Sequence, residues 1–257
     1  MNPHLANAFI MVVSISAALG LLVMLRRQWT PKRLKNTNDI SGFYIGIIGT
    51  IYAVMMAFML SGVWLDYEDA QVNTEQEANC LVSLFRISRG LSDEQRTRLQ
   101  NLAETYAKVM VNEEWDAMSR NETSWHGIEI TEAMWKEVTT MKTQNPQEQI
   151  ILDHIITELT NMTEHRRIRL LQSRQVIPGI LWAVLIVGGV VTVGLSCLFG
   201  VDDLRLHITH TVALALLVTL MLIAIADMDR PFSGTVHVPP DGFTLALETL
   251  NRLRAGG

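Results

Sequence analysis

Residues able to do chemistry are sparse in this chain and gather near the ends of long apolar runs. His207 and His210 stand three apart beside Asp202 and Asp203, so on a helix they share a face and joint metal ligation is geometrically open to them. The ordinary alternative is two interfacial histidines bonded to water or backbone, and no metal ligand or cofactor is assigned. His154 and His165 read as helix-surface residues. There is no glycine-rich phosphate loop, nucleophile elbow, zinc-protease helix or Cys-x-x-Cys pair, so no catalytic residue is named and an enzyme is not expected. Cys80 and Cys197 fall in different regions and are not expected to pair.

The most organised chemistry is in residues 42–65. Gly42, Gly46, Gly49, Ala53, Ala57 and Ser61 recur at three- or four-residue steps, which makes one helix face small along its length. Small faces let helix backbones approach closely in lipid, where apolar burial gives no drive to association. The opposite face carries Ile47, Ile51, Met55 and Phe58. Helix packing alone accounts for the small stripe. The alternative is an oligomeric pore in which Ile47, Ile51 and Met55 line a narrow, dewetting constriction.

The elements that must position these residues are four stretches without Asp, Glu, Lys or Arg: 5–25, 42–65, 176–201 and 206–226. A hydrocarbon core of about 30 Å needs about 20 helical residues, so each is long enough to span it. The first has no basic leader and is longer than a signal-peptide core, which fits a retained span. No ionisable residue sits at the centre of any span, which argues against a pump or proton-driven transporter. The expectation is an all-α, multi-pass protein of the cell membrane. Its parts are spans one and two (1–65), a helical extramembrane domain (66–175), spans three and four (176–226), and a tail with a short amphipathic helix (227–257).

The insertion holds 19 acidic and 12 basic residues, whereas the rest of the chain holds 7 and 9. An acidic extramembrane part excludes nucleic acid as a partner, since phosphate binding needs a basic surface. Four spans put both termini on the insertion's side. The five basic residues of the first loop favour a cytoplasmic loop and an external insertion. Arg166, Arg167, Arg169 and Arg174 favour the reverse.

No breaker ends the second span, so its helix is expected to continue to about Arg89. Gly90 can end it, and Ser92 with Gln95 forms a capping-box pattern for a helix reaching about Met118. Residues 128–141 form a less regular third helix. Asn145, Pro146 and Glu148 mark the start of another, whose apolar pattern runs on into the third span at Pro178. If the two long helices leave the membrane antiparallel, Glu68 meets Arg174 and Glu75 meets Arg167 at matching heights. Exposed pairs of this kind contribute only about 0–1 kcal/mol and would fix the hairpin modestly.

Taken in order, several stretches resemble the bestrophin-like membrane proteins of bacteria. They are Ile48-Gly49-Thr50-Ile51-Tyr52-Ala53-Val54 through Phe58, then Val63-Trp64, Tyr67, Glu77-Ala78, Tyr106 and Glu114-Trp115. The run Arg166-Arg167-Ile168-Arg169-Leu170 follows, with Pro178, Leu181-Trp182 and Asp229-Arg230-Pro231-Phe232-Ser233-Gly234. The resemblance implies a bestrophin-like fold, a ring-shaped homo-oligomer in the lipid bilayer and conduction of small anions. Under it, Ile47, Ile51 and Met55 are candidates for the apolar neck, and the insertion is cytoplasmic. The acidic run that follows the proline-phenylalanine turn in calcium-gated bestrophins is missing from residues 235–240, so calcium gating by that route is not implied. A different class fits the same layout: a membrane scaffold or sensor whose helical domain binds a protein partner.

Overall fold

The computed structural model describes residues 3–255, and every regular element among them is helical. In chain order these are α1 (Pro3–Gln28), α2 (Pro31–Lys35), α3 (Asn38–Ile87), α4 (Asp93–Val109), α5 (Trp115–Ser119), α6 (Trp125–Thr140), α7 (Pro146–Gln172), α8 (Gly179–Ser196), α9 (Leu204–Met228) and α10 (Asp241–Ala255). A π-helical turn, Met110–Glu114, joins α4 to α5. The chain divides into two compact units, residues 1–65 with 176–229, and 66–175 with 230–257.

The first unit contains four helices long and apolar enough to cross a membrane, and only 11–22% of each apolar window is buried inside the chain. Helices this apolar and this uncovered are membrane spans rather than core helices, because water would not tolerate so large an apolar surface. Within the unit α1 packs along α9, and α8 on α9. Ser14 on α1 accepts a hydrogen bond from Thr219 on α9 at 2.8 Å, while Ala18, Leu22, Leu185 and Ala215 are buried. The two inter-span connections are tied together. Asn38 donates to the Gly200 carbonyl at 3.2 Å and accepts from its N–H at 2.9 Å, and Lys35 pairs with Asp202.

As the lack of a breaker predicts, α3 is one helix of 50 residues, and its first half belongs to this unit. The expected continuation of α7 into the third span does not occur. Helix α7 ends at Gln172, residues 173–178 are not helical, and α8 starts at Gly179. Pro178 supplies no N–H and disfavours helical geometry in the residue before it. The Ile177 N–H is instead taken by the Asp229 carboxylate at 2.6 Å, and Trp182 donates to the same group at 3.4 Å.

The second unit is a helical domain built on the second half of α3, α4, α6, α7 and α10. Leu81, Leu84, Phe85, Leu99, Met134, Ile155 and Leu159 form its apolar centre. Asn145 caps α7 as the sequence pattern predicts, accepting from the Glu148 N–H at 2.8 Å. At the start of α4 the Ser92 hydroxyl bonds the Gln95 side chain at 3.0 Å instead of a backbone N–H.

At the centre a carboxylate and a guanidinium are both fully buried. Arg169 on α7 donates twice to Glu77 on α3, at 2.7 and 2.9 Å. Tyr106 on α4 donates to the same carboxylate at 2.5 Å. Met110 and Met118 sulfurs lie 3.1 Å from the guanidinium, and the Trp115 and Phe243 rings lie 5.0 and 5.8 Å from its carbon. Burial works against the charge of Arg169, but Glu77 outweighs it and holds the pKa above its ordinary value. Burial, reinforced by the same carboxylate, keeps the Tyr106 phenol well above its usual pKa and hence a donor.

A second pair, Arg166 to Glu114 at 2.9 Å, ends at Gly127 on α6. A Cβ there would stand 2.4 Å from a Glu114 oxygen and 2.7 Å from an Arg166 nitrogen, so the close approach requires glycine. The segment after the fourth span belongs to this domain. Phe232 meets Trp115 edge-on at 5.9 Å, the Val238 carbonyl accepts from Trp115 at 2.8 Å, and Phe243, Ala246 and Leu250 on α10 are buried. Gly234, at φ 93°, makes the turn after Phe232.

Removing one member of the central pair leaves an uncompensated buried charge. Glu77→Met or Arg169→Met alone is expected to cost about 3–5 kcal/mol, and the double variant to recover much of that loss. Thermal unfolding of the detergent-purified chain checks this, and simple additivity of the two losses would refute the coupling.

Candidate functional site

The membrane half of α3 has a fixed orientation within its unit, and Tyr52 sets it. Tyr52 is buried, and its hydroxyl donates to the Leu185 carbonyl on α8 at 3.1 Å. Helix α8 meets it with two glycines. A Cβ at Gly188 would lie 2.6 Å from the Tyr52 ring, and one at Gly189 would lie 2.8 Å from its hydroxyl. Such contact lets helix surfaces interlock where lipid supplies no hydrophobic drive. Met56 and Val63 are buried on the same side of α3.

Turning that side toward α8 leaves the rest of α3 uncovered by its own chain. Ile47 and Ile51 are exposed, as are Phe43, Val54 and Phe58, the last at 75%. Met55 is half-buried and, with Ile48, Ile51, Tyr52, Ala183, Val184 and Val187, borders a cavity of about 450 Å³ between α3 and α8. A four-residue step advances about 40° beyond a full turn, so Ile47, Ile51 and Met55 drift around the helix, the last toward α8. Val54 and Phe58 extend the exposed strip that Ile47 and Ile51 begin.

The small residues divide similarly. Gly46, Ala53, Ala57 and Ser61 are exposed, while Gly42 and Gly49 are half-buried. Gly42 faces Phe199 at 3.8 Å, whereas positions 46 and 49 have no neighbouring atom within 4 Å of a would-be Cβ. Apart from Gly42, then, the stripe is not used for close packing inside this chain. It forms a shallow, uncharged surface beside the apolar strip.

The anticipated surface ion pairs are not those the structure forms. Arg167 pairs with Glu164 at 2.6 Å, Arg174 donates to Thr123 at 2.9 Å, and Glu75 accepts from Gln71 at 3.2 Å. Among the described residues Glu68 and Glu75 form no ion pair with either arginine. The carboxylate–guanidinium link between the two long helices is Glu77–Arg169, one helical turn or less from the expected positions and fully buried. Sequence reasoning singled out Glu77, Tyr106, Glu114 and Arg169 by their likeness to a family, without seeing that they meet.

Of the two neighbouring histidines, His207 has defined partners. His207 is 2% exposed; its Nδ1 lies 3.1 Å from Arg26 and its Nε2 lies 3.2 Å from the Ser196 carbonyl. Both ring nitrogens are therefore engaged. Among the described residues no group of three or more His, Cys, Asp or Glu could hold a metal ion.

Four spans, a helical unit closed around a buried ion pair, and an exposed apolar strip on the second span define a multi-pass membrane protein with a helical extramembrane domain. Residues 12–243 match the Bestrophin-like domain, and the chain belongs to that family. No curated protein sequence matches it. Among solved structures, a bacterial bestrophin homologue from Klebsiella pneumoniae is 11% identical, with 96% of this chain and 98% of that chain covered at a TM-score of 0.73. A single-substitution variant of that homologue covers 99% of each chain at 11% identity and a TM-score of 0.70. At such identity the likeness extends to the fold alone.

The Tyr52 contact predicts the effect of crowding it. Gly188→Ala drives a methyl group into a ring that is itself held by a hydrogen bond, at an expected cost of about 1–3 kcal/mol. Tyr52→Ala should relieve the clash, so the combined variant loses less than the sum. Thermal unfolding in detergent reads both, and an unperturbed Gly188→Ala would refute the tight contact.

Proposed function

We propose that the chain forms a homo-oligomeric, channel-like pore in the membrane, with α3 around the axis, and that it conducts small anions. The observation that carries this reading is the three-sided use of α3. One side is held by α8 through Tyr52, a second is a shallow small-residue surface, and a third is the apolar strip of Ile47, Ile51, Val54 and Phe58. A copy of α3 or of a neighbouring helix against Ala53 and Ala57 would turn the strip toward a common axis. There, a ring of apolar side chains would act as a constriction that gates by dewetting. Membership of the bestrophin-like family supports the assembly, and the likeness to bestrophins supports anions as the permeant class. The lack of acidic or basic side chains within the span supports passive conduction over coupled transport.

Purified chain reconstituted in liposomes should release chloride or iodide down a gradient. Ile51→Ala, which widens the strip, should raise the rate by roughly threefold or more. Ala57→Trp should prevent assembly, observed as loss of the oligomer in native mass spectrometry, and abolish flux. An intact oligomer that passes no anion would leave the scaffold reading, in which the helical domain binds a partner. A monomeric wild-type chain would remove both the pore and its axis.

A further inference from the structure

The helical domain contains a basic cavity that its overall charge would not lead one to expect. The insertion is acidic, with 19 carboxylates against 12 basic residues. Yet a cavity of about 610 Å³ is lined by Arg89, Arg96, Thr97, Gln100, Asn101, Leu253 and Arg254. Three guanidiniums from three separate segments converge there: the short turn after α3, the first turn of α4, and the last turn of α10. This volume lies within the range of small-molecule sites, about 300–1,000 Å³, but Leu253 is the only apolar residue lining it among the described residues. Its chemistry suits a compact, multiply charged, hydrophilic ligand.

The resident carboxylates do not neutralise it. Arg96 pairs with Asp93 at 2.9 Å, and Asp93 is 91% exposed. Arg254 pairs with Glu104 at 2.6 Å and with the Asn101 amide oxygen at 3.0 Å, and Glu104 is shared with Lys108. Among the described residues Arg89 bonds only the Leu253 carbonyl, a neutral acceptor. Across these groups four cations face two anions. Arg254 is also steadied by the Phe85 ring, 5.9 Å away, and Gln100 is fixed by bonds to the Phe85 carbonyl and the Ser88 hydroxyl at 3.3 and 3.1 Å. Arg254 and Gln100 are thus placed before any ligand arrives, which lowers their ordering cost on binding.

We infer that this cavity binds an oligophosphate, either free or as the phosphate tail of a nucleotide. Guanidinium forks match phosphate oxygens two at a time, and each phosphate brings three strong acceptors. A monocarboxylate would add nothing beyond what Asp93 and Glu104 already supply, whereas an oligophosphate carries enough charge to satisfy all three arginines. The site is independent of conduction, and its test does not depend on a pore.

The experiment is isothermal titration of the full chain in detergent with inorganic tripolyphosphate at fixed ionic strength. One ligand per chain is expected. Arg89→Gln and Arg96→Gln should each weaken it by about tenfold or more, the loss of one charge-assisted contact. Arg120→Gln, on the same unit but paired with Asp116 and Glu122, should leave it unchanged. Thr97→Trp fills the cavity without removing a charge and should abolish binding, which guards against misfolding of the arginine variants. Adenosine triphosphate binding as tightly as tripolyphosphate would show that the phosphates alone are read; tighter binding would identify a nucleotide. No binding, equal weakening by Arg120→Gln, full affinity in Thr97→Trp, or citrate binding as well as tripolyphosphate would each overturn the assignment.

Discussion

A single buried ion pair, Glu77 with Arg169, holds together the helices from which the extramembrane domain is built. Burying two charges costs several kcal/mol each in desolvation, and their attraction offsets this only with good geometry and full hydrogen bonding. Both conditions are met. The guanidinium is held twice by the carboxylate, at 2.7 and 2.9 Å, and the carboxylate gains a third donor in Tyr106. The faces of the guanidinium are covered by Trp115, Phe243 and two methionine sulfurs. One interaction therefore unites α3, α4, α7, the π-helical turn and α10. Any displacement of one helix would leave a charge without its partner in an apolar interior.

Glu77, Ile47 and Ile51 lie on the same 50-residue helix, Glu77 in the extramembrane unit and the two isoleucines in the membrane unit. No glycine or proline falls in α3 between Leu65 and Ile87, so no residue there breaks the helical hydrogen-bond pattern. The return path differs. Between α7 and α8, Pro178 and the capping carboxylate of Asp229 define a sharp break.

Much of this was legible in the sequence, and the failures share a physical origin. The four spans, the length of α3, and the Asn145–Glu148 cap all depend on local rules, and local rules carry. The pairs Glu68–Arg174 and Glu75–Arg167 follow from counting outward from the span ends only if both helices are unbroken. Six residues at 173–178 are not helical, so that count does not carry into α7, and the link forms at Glu77 and Arg169 instead. A buried pair has no periodic signature, so nothing in the spacing could separate it from solvated neighbours. Likewise, a ladder at intervals of four drifts around a helix. Met55 therefore leans toward α8, while Val54 and Phe58, at steps of seven and eleven from Ile47, stay on the exposed strip.

The residues that carry the family likeness gather where burial makes the strictest physical demands. Glu77, Tyr106, Glu114, Trp115, Arg166, Arg169 and Phe232 all lie in the buried network of the domain, and Asp229 caps the start of α8. Within the second span the corresponding fixed point is Tyr52, the residue that orients α3. These positions are constrained because an unpaired charge or a misplaced ring inside a packed interior is costly. The apolar strip of α3 meets no such demand within one chain, since any side chain of similar shape leaves the fold intact.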